Sequence, residues 1–578
     1  MTVVGEQHIA INTQRGLYIT NTPDLLPDGY CQSIINLFRT VKGTWETRKG
    51  FTFLGAVKVQ TTDVQASFNP TTQSIPDNPH LSIYYTELQG GFQAPHIILS
   101  YIDNAGLNKI QHWTGRITAG NVESATQGLA SVIAQPTTFS QFRNKIYCAA
   151  GWLIYNIPEA GFLYTSATPA GTLAPALIAT LPGTNAFTTA DSRPILVNYF
   201  NRTFHCYGSR VTYTDVALTA AWADVWNAGA NFFDLPTTNL GNCNIYDAIQ
   251  LNGVLYFFTD KGVFALNGED TTDTWSVRFI TDAIKIYSRG AVALINGTFI
   301  ATDKKKLMVF NGVQPKEFGT EIGYVFNVFN SFSIQPFLKG FILTCRYFAV
   351  SGITWIIAAP PAGTNSWEYG QSRNLYFDGT VWVDISFGTS ITVPDQKHVL
   401  FGSANKQKNL YTRDGNSYLA VYDQAGTQYH MVYYDYLNNG DSNYDHATKT
   451  FNIVRLKTKD IEEALWMRYT RIKRAAIRVF SLITTVTINR YKQGSTIADA
   501  LPDTIALTSV SDNNYLLNAK GINFNSRGSY EIILSGTLTD RGDFTAGPLP
   551  FAVPLAEIKS ISLVVEADAR DSTPQIGS

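Results

Sequence analysis

The sequence predicts an all-β protein: a six- or seven-bladed β-propeller followed by a C-terminal β-sandwich-like domain. Three observations lead there. First, composition: only 15% of the 578 residues are charged, while Phe, Tyr and Trp supply 13%; an average soluble domain carries roughly 25% charged residues. Aromatic residues suit the pleated, half-buried surface of a strand. Second, runs of roughly 4–8 residues rich in Val, Ile, Thr, Phe and Tyr lie between Gly, Asn, Asp and Pro clusters, the pattern of short strands joined by turns. Third, a segment repeats. Asn252 to Gly268 matches Asn296 to Gly312, each beginning and ending in Asn-Gly, with an apolar strand, a charged turn and a second apolar strand between. The closing Asn-Gly pairs are expected to form type I′ hairpin turns, since both residues tolerate positive φ.

Weaker copies extend the repeat. They run from His96 to Gly115, Arg143 to Tyr155, Asn201 to Tyr213, Lys339 to Trp382 and His398 to Gly415. Unit starts recur about every 50 residues, close to the roughly 40–50 that a four-stranded propeller blade needs. Helical periodicity is confined to three short stretches, 174–180, 215–226 and 461–467. Near residue 420 the rhythm stops, and strands at 477–489, 529–535 and 558–566 lie between long polar loops. The expected organisation is 1–60 as N-terminal strands joining the propeller, 61–424 as the propeller, and 425–578 as a sandwich-like platform or docking domain.

Charge and motifs narrow the function. The 44 basic and 45 acidic residues leave a net charge of −1, without the basic excess that bulk nucleic-acid binding requires. No apolar run is long enough for a membrane-spanning helix, so no membrane insertion is expected. The segment from Met1 to Gly16 has no secretory signal pattern, which points to synthesis in the cytoplasm. Cys31, Cys148, Cys206, Cys243 and Cys345 are far apart and read as small buried hydrophobes. The eight histidines show no metal-ligand spacing. There is no nucleophile elbow and no phosphate loop. Tyr376 to Trp382 approaches a sialidase-type turn, but Ser is absent and the spacing fails. The loop 435–445 is rich in oxygen ligands and can be weighed as a Ca²⁺ site, but it lacks the alternation and closing Glu of an EF-hand.

The N-terminal stretch carries a resemblance. Gly16 to Tyr30 includes Leu26-Pro27-Asp28-Gly29, Ile35-Asn-Leu-Phe38 is an Asn-centred apolar strand, and Lys42 to Gly50 supplies a Gly-turn and a Gly exit. This opening resembles that of tail hub or nozzle proteins of short-tailed bacteriophages. Val211 to Asp215 with Trp222 resembles a blade turn of the same group, and Ile561 to Arg570 its terminal strand. The resemblance implies a virion protein without enzymatic activity that forms a hexameric ring below the portal and its adaptor. Such a ring extends the DNA channel, docks tail fibres or spikes and gates genome ejection. Its implied partners are other copies of itself, a tail adaptor protein, a fibre or spike, and passing double-stranded DNA with weak contact. Its location would be the phage tail, after assembly in the host cytoplasm.

No catalytic, cofactor or metal residues are assigned, and no cofactor is expected. One cluster stands out: Arg468, Arg471, Lys473, Arg474 and Arg478, close to Trp466 and Tyr469. A subunit interface is the favoured reading, because Arg is enriched there; a solvated face and DNA contact are the alternatives. Strict strand alternation would divide these residues between two faces. The competing function is a glycan-binding or glycan-degrading tail propeller, which would need a funnel of aromatics and paired carboxylates. An intracellular interaction scaffold is a third reading.

Overall fold

The structure is a computed structural model. It describes the residues of the strands named below and, around them, chiefly residues 12–19, 26–40, 42–47, 194–215, 241–286 and 306–324. Six separate four-stranded antiparallel sheets, together with four antiparallel strands at 341–384 that belong to a larger sheet, give the propeller seven blades. Blade one runs from Ser82–Thr86 to Ala125–Gly128. Blade two consists of Thr138–Phe142, Lys145–Ala150, Leu153–Ile157 and Ala176–Thr180. Blade three consists of Ile195–Tyr199, Arg202–Tyr207, Arg210–Tyr213 and Phe232–Asp234. Blade four consists of Ile245–Leu251, Val254–Thr259, Val263–Asn267 and Ser276–Thr281. Blade five runs from Val292–Ile295 to Pro315–Phe318, and blade six from Phe341–Tyr347 to Trp382–Asp384. In blades one to five the first strand of each blade adjoins the first strand of a neighbour; this places the first strands towards the axis.

Blade seven joins the two ends of the propeller. His398–Phe401, Ser417–Asp423 and Gln428–Asp435 form three of its strands, and Gly50–Val57 adds the outermost. The chain next contributes Ser82–Thr86 to blade one, so a ladder of backbone hydrogen bonds closes the ring in place of a covalent link. The expected boundary at 424 therefore divides a hairpin, since Asp423 pairs with Gln428.

The repeated unit is the hairpin of the second and third blade strands, and its phase slips. The unit starts near 96, 144, 201, 252 and 296 open on second strands, whereas those near 340 and 398 open on first strands. Both kinds of hairpin look alike in sequence, because each is two apolar strands joined by a short turn. The type I′ geometry also lies elsewhere than expected. Asn252 and Gly253, which open the unit, have φ of 51° and 76°, whereas of the closing pairs only the glycines, Gly268 and Gly312, are positive. The stretch 174–180 contains a strand, Ala176–Thr180, because blade two requires an outer strand there. Residues 216–225 and 461–467 lie outside the described residues.

Aromatic and aliphatic side chains fill the seams between blades. Phe204, Phe257, Phe264 and Tyr199 lie in the core between blades three and four. Phe258, Phe299 and Phe310 lie between four and five, with the Phe258 and Phe299 ring centroids 5.1 Å apart at an edge-to-face 71°. Fully burying one Phe contributes roughly 1.5–3 kcal/mol, so the aromatic surplus in the composition is seam material. Cys31, Cys148, Cys206 and Cys243 are buried free thiols. Burial pushes the Cys243 thiol up to about 11.

The second unit is built from both ends of the chain. One sheet orders Leu37–Arg39, Trp45–Thr47, Ala556–Ala567, Tyr469–Ser481 and Asn513–Asn518, with Glu6–Ala10 also pairing Ala556–Ala567. The other contains Tyr30–Ile35, Val454–Thr458, Tyr530–Leu538, Ile483–Arg490 and Asp503–Ala506. Of the N-terminal strands, Gly50–Val57 completes blade seven, Gly16–Leu17 and Tyr30–Ile35 lie in the sheet that continues blade six, and Glu6–Ala10, Leu37–Arg39 and Trp45–Thr47 belong to the first sheet of the second unit. Buried Asn36, with φ 58°, turns the chain from Tyr30–Ile35 in one sheet to Leu37–Arg39 in the other, a conformation that Asn tolerates better than most residues. Gly43, with φ 82°, makes the expected hairpin between Leu37–Arg39 and Trp45–Thr47.

Blade six runs directly into this unit. Ile35 pairs in parallel with Asp384, giving one ten-stranded sheet shared by propeller and second unit. The Asn36 amide donates to the Asp384 carbonyl at 2.9 Å, and the Ile19 amide to the Glu321 carbonyl at 2.7 Å. Gly16, with φ 86°, lies so close that a Cβ would come within 2.7 Å of Val381 Cβ and 3.1 Å of the Trp382 carbonyl. Left-handed strain and overpacking together lead us to expect Gly16→Ala to cost about 2–4 kcal/mol. Thermal unfolding with limited proteolysis checks this; an unchanged Tm would contradict a close joint at that glycine.

Candidate functional site

The basic cluster lies on the long strand Tyr469–Ser481, except Arg468, which is outside the described residues. Register decides its arrangement. Arg471 is opposite Glu566, Ile472 opposite Val565, Arg474 opposite Val564 and Arg478 opposite Ser560. Lys473 is an extra residue in a bulge between Ile472 and Arg474, and a bulge offsets alternation by one. Arg471, Arg474 and Arg478 therefore share one face, contrary to the expectation from an unbroken strand. Glu6 joins the Arg471 row through Glu566, and His8 and Asn518 join the Arg474 row. The rows between contain Ile472, Ala475 and Ile477 against Val565, Leu563 and Ile561, so the sheet has a charged face and an apolar face. The bulge is set by the register with Ala556–Ala567, so the strand's own sequence did not reveal it.

A second constellation lies between blades three and four, around Arg202. Its guanidinium donates from Nε and Nη2 to the Asp270 carbonyl at 3.1 and 2.9 Å, and from Nη1 to the Thr214 carbonyl at 2.6 Å. It also lies 5.5 Å from each of the Tyr213 and Trp275 ring centroids, within range of cation–π attraction. Beside it, the Asn201 amide nitrogen donates to Asp270 Oδ1 at 3.1 Å and its Nδ2 to Oδ2 at 2.6 Å. The Tyr199 hydroxyl lies 2.8 Å from both the Gly253 and Gly268 carbonyls; its single proton serves one of them at a time. Burial pushes the Tyr199 hydroxyl up to about 12, so it stays a donor. Phe200, between these residues, is 43% exposed and has φ 47°. The sequence reading missed this group. Its signal was Phe200-Asn201 at the position where blades four and five have Asn252-Gly253 and Asn296-Gly297.

A third group faces the seam between blades two and three. His205 is fully buried, and its Nε2 lies 2.8 Å from the Gly151 carbonyl. A carbonyl only accepts, so Nε2 carries the proton. Nδ1 has no hydrogen-bond partner among the described residues. Burial pushes the imidazole down to about 4, against the smaller upward pull of the Gly151 bond. Among the described residues no group of three or more His, Cys, Asp or Glu is placed to hold a metal. Of the loop 435–445, Asp441–Ser442 pairs with Lys449–Thr450, while residues 436–440 and 443–445 lie outside the described residues.

No protein-family profile matches the chain, and no curated protein matches it. Similar solved structures exist at low identity. The BP39L lectin from Burkholderia pseudomallei has a TM-score of 0.32 and 13% identity, covering 62% of this chain and 98% of the lectin. A glycoside hydrolase family 43 arabinoxylan arabinofuranohydrolase from Bacillus subtilis has a TM-score of 0.24 and 9% identity, covering 88% and 100%. A Trypanosoma rangeli sialidase mutant displaying trans-sialidase activity has a TM-score of 0.29 and 10% identity, covering 97% and 96%. These names are of glycan-binding and glycan-acting proteins. The expectation that the chain is not an enzyme is therefore corrected: a hydrolase and a sialidase stand among the structures similar to it, and a fold hosts more than one function. The chain is an all-β propeller protein with seven blades.

Proposed function

We propose that this chain is a structural subunit of a short-tailed phage tail, a hub or nozzle protein assembling as a hexameric ring below the portal and adaptor. The observation that supports this reading is the ten-stranded sheet running from blade six into the second unit. A shared sheet resists hinging, because rotation would break the backbone hydrogen bonds that join blade six to Tyr30–Ile35. A rigid two-part body suits a ring that transmits force between an adaptor and a fibre. The face of Arg471, Arg474 and Arg478, with Glu6 and Glu566 at one end, is then the subunit contact, since it carries both signs of charge. The test is native mass spectrometry and negative-stain imaging of the protein with its adaptor. Six-fold rings are expected, and Arg474→Glu with Arg478→Glu is expected to abolish them while leaving Tm within a few degrees. Protein that remains monomeric both alone and in assembled particles would overturn the reading.

A second reading, a glycan-binding or glycan-degrading propeller, is favoured by the exposed Phe200 beside Asn201 and Asp270. An aromatic face with a carboxylate and an amide matches the apolar face and hydroxyl edge of a sugar. Reducing-end release from host surface polysaccharide tests the degrading form. Binding without release supports the binding form.

A further inference from the structure

We infer that the propeller carries a pyranose-binding subsite at the junction of blades three and four, centred on Phe200. This deepens the second reading above and rests on it. The argument begins with a conflict between residue and backbone. Blades three, four and five each join their first two strands through a two-residue turn: Tyr199 pairs with Arg202, Leu251 with Val254 and Ile295 with Thr298. Blades four and five fill the turn with Asn-Gly, which accepts positive φ at little cost. Blade three fills it with Phe200-Asn201, and Phe200 has φ 47°. A bulky side chain in that region is strained, and its ring is exposed, so folding alone gives little reason for Phe there. Sequence rules broken at an exposed position point towards binding.

The surroundings supply the rest of a sugar site. The Phe200 ring stands edge-to-face on Tyr199, with centroids 4.6 Å apart at 70°, and the Tyr199 hydroxyl donates to one or other of two blade-four carbonyls. The platform is therefore set before any ligand arrives, which reduces the ordering cost of binding. Asp270 accepts two bonds from Asn201, and a carboxylate has about four lone-pair directions, so it can still accept from hydroxyls. The half-buried Asp270 carboxylate and the Asn201 amide beside the Phe200 ring disfavour an anionic ligand and suit a polyhydroxylated ring whose C–H face lies on Phe200.

Saturation-transfer NMR of the full chain with methyl pyranosides of glucose, galactose and mannose tests this. Signal at the apolar ring face of at least one is expected, in the millimolar range of Kd. Phe200→Asn gives blade three the first turn residue of blade four, Asn, which tolerates positive φ better than Phe. It is expected to raise Tm and to weaken pyranoside binding by at least about tenfold. A lower Tm with unchanged binding would make Phe200 a packing residue and overturn the subsite. If host polysaccharide binds and Phe200→Asn leaves that binding unchanged, the subsite falls while the glycan reading stands. If neither pyranosides nor polysaccharide bind, both fall.

Discussion

Proline at Thr52 and Phe53 together is expected to open the propeller ring. These residues pair with Tyr433 and Val432 on Gln428–Asp435. In an antiparallel ladder, neighbouring residues direct their N–H groups to opposite sides, so one of the two must point at the partner strand. Proline removes that donor and leaves a carbonyl of the partner strand unpaired. The loss is on the order of 2–4 kcal/mol, but its position magnifies the consequence. Gly50–Val57 is the strand by which the chain preceding blade one is held in blade seven. Limited proteolysis should show new early cleavage between residues 57 and 82 and between 435 and 454, with Tm reduced by several degrees. A wild-type cleavage pattern and Tm in this variant would refute closure by this strand.

Acid is expected to destabilise the protein through His205. Its imidazole is held at about 4 in the folded state against an ordinary 6.5. A buried neutral histidine binds fewer protons than an unfolded one throughout that interval. Its contribution is therefore fully present above pH 6.5 and is lost as pH falls towards 4. At roughly 1.4 kcal/mol per pH unit, the loss amounts to about 3 kcal/mol. His205→Gln keeps a side-chain N–H that can reach the Gly151 carbonyl but does not titrate. Its denaturation midpoint should fall less steeply than that of the wild type between pH 6.5 and 4. Parallel curves for the two proteins would show that His205 has no part in the acid response.

Residues forming local contacts were legible, and residues joined over long separations were not. The Asn-Gly pairs marked hairpins because Asn and Gly tolerate positive φ, but the type I′ turn was expected at the closing pairs and lies at Asn252-Gly253. Asn36 was read as the centre of one apolar strand, whereas the structure turns the chain there from one sheet to another. By contrast, nothing near Gly50 reveals that its strand lies beside Gln428–Asp435, almost four hundred residues later. The arginine face needed the bulge at Lys473, which is defined by the partner strand Ala556–Ala567 and cannot be read from Tyr469–Ser481 alone. Phe200 was visible only as a discrepancy among blade turns, and its significance needed the measured exposure and φ.

By itself the sequence determined the all-β class, the propeller repeat and the aromatic character of its seams, because strand periodicity and turn chemistry act over a few residues. The tertiary structure alone decided that there are seven blades, that an N-terminal strand completes the last, and that both ends of the chain build the second unit. Strand pairing is made by backbone groups common to every residue, so which strands meet depends on the packing of the whole chain.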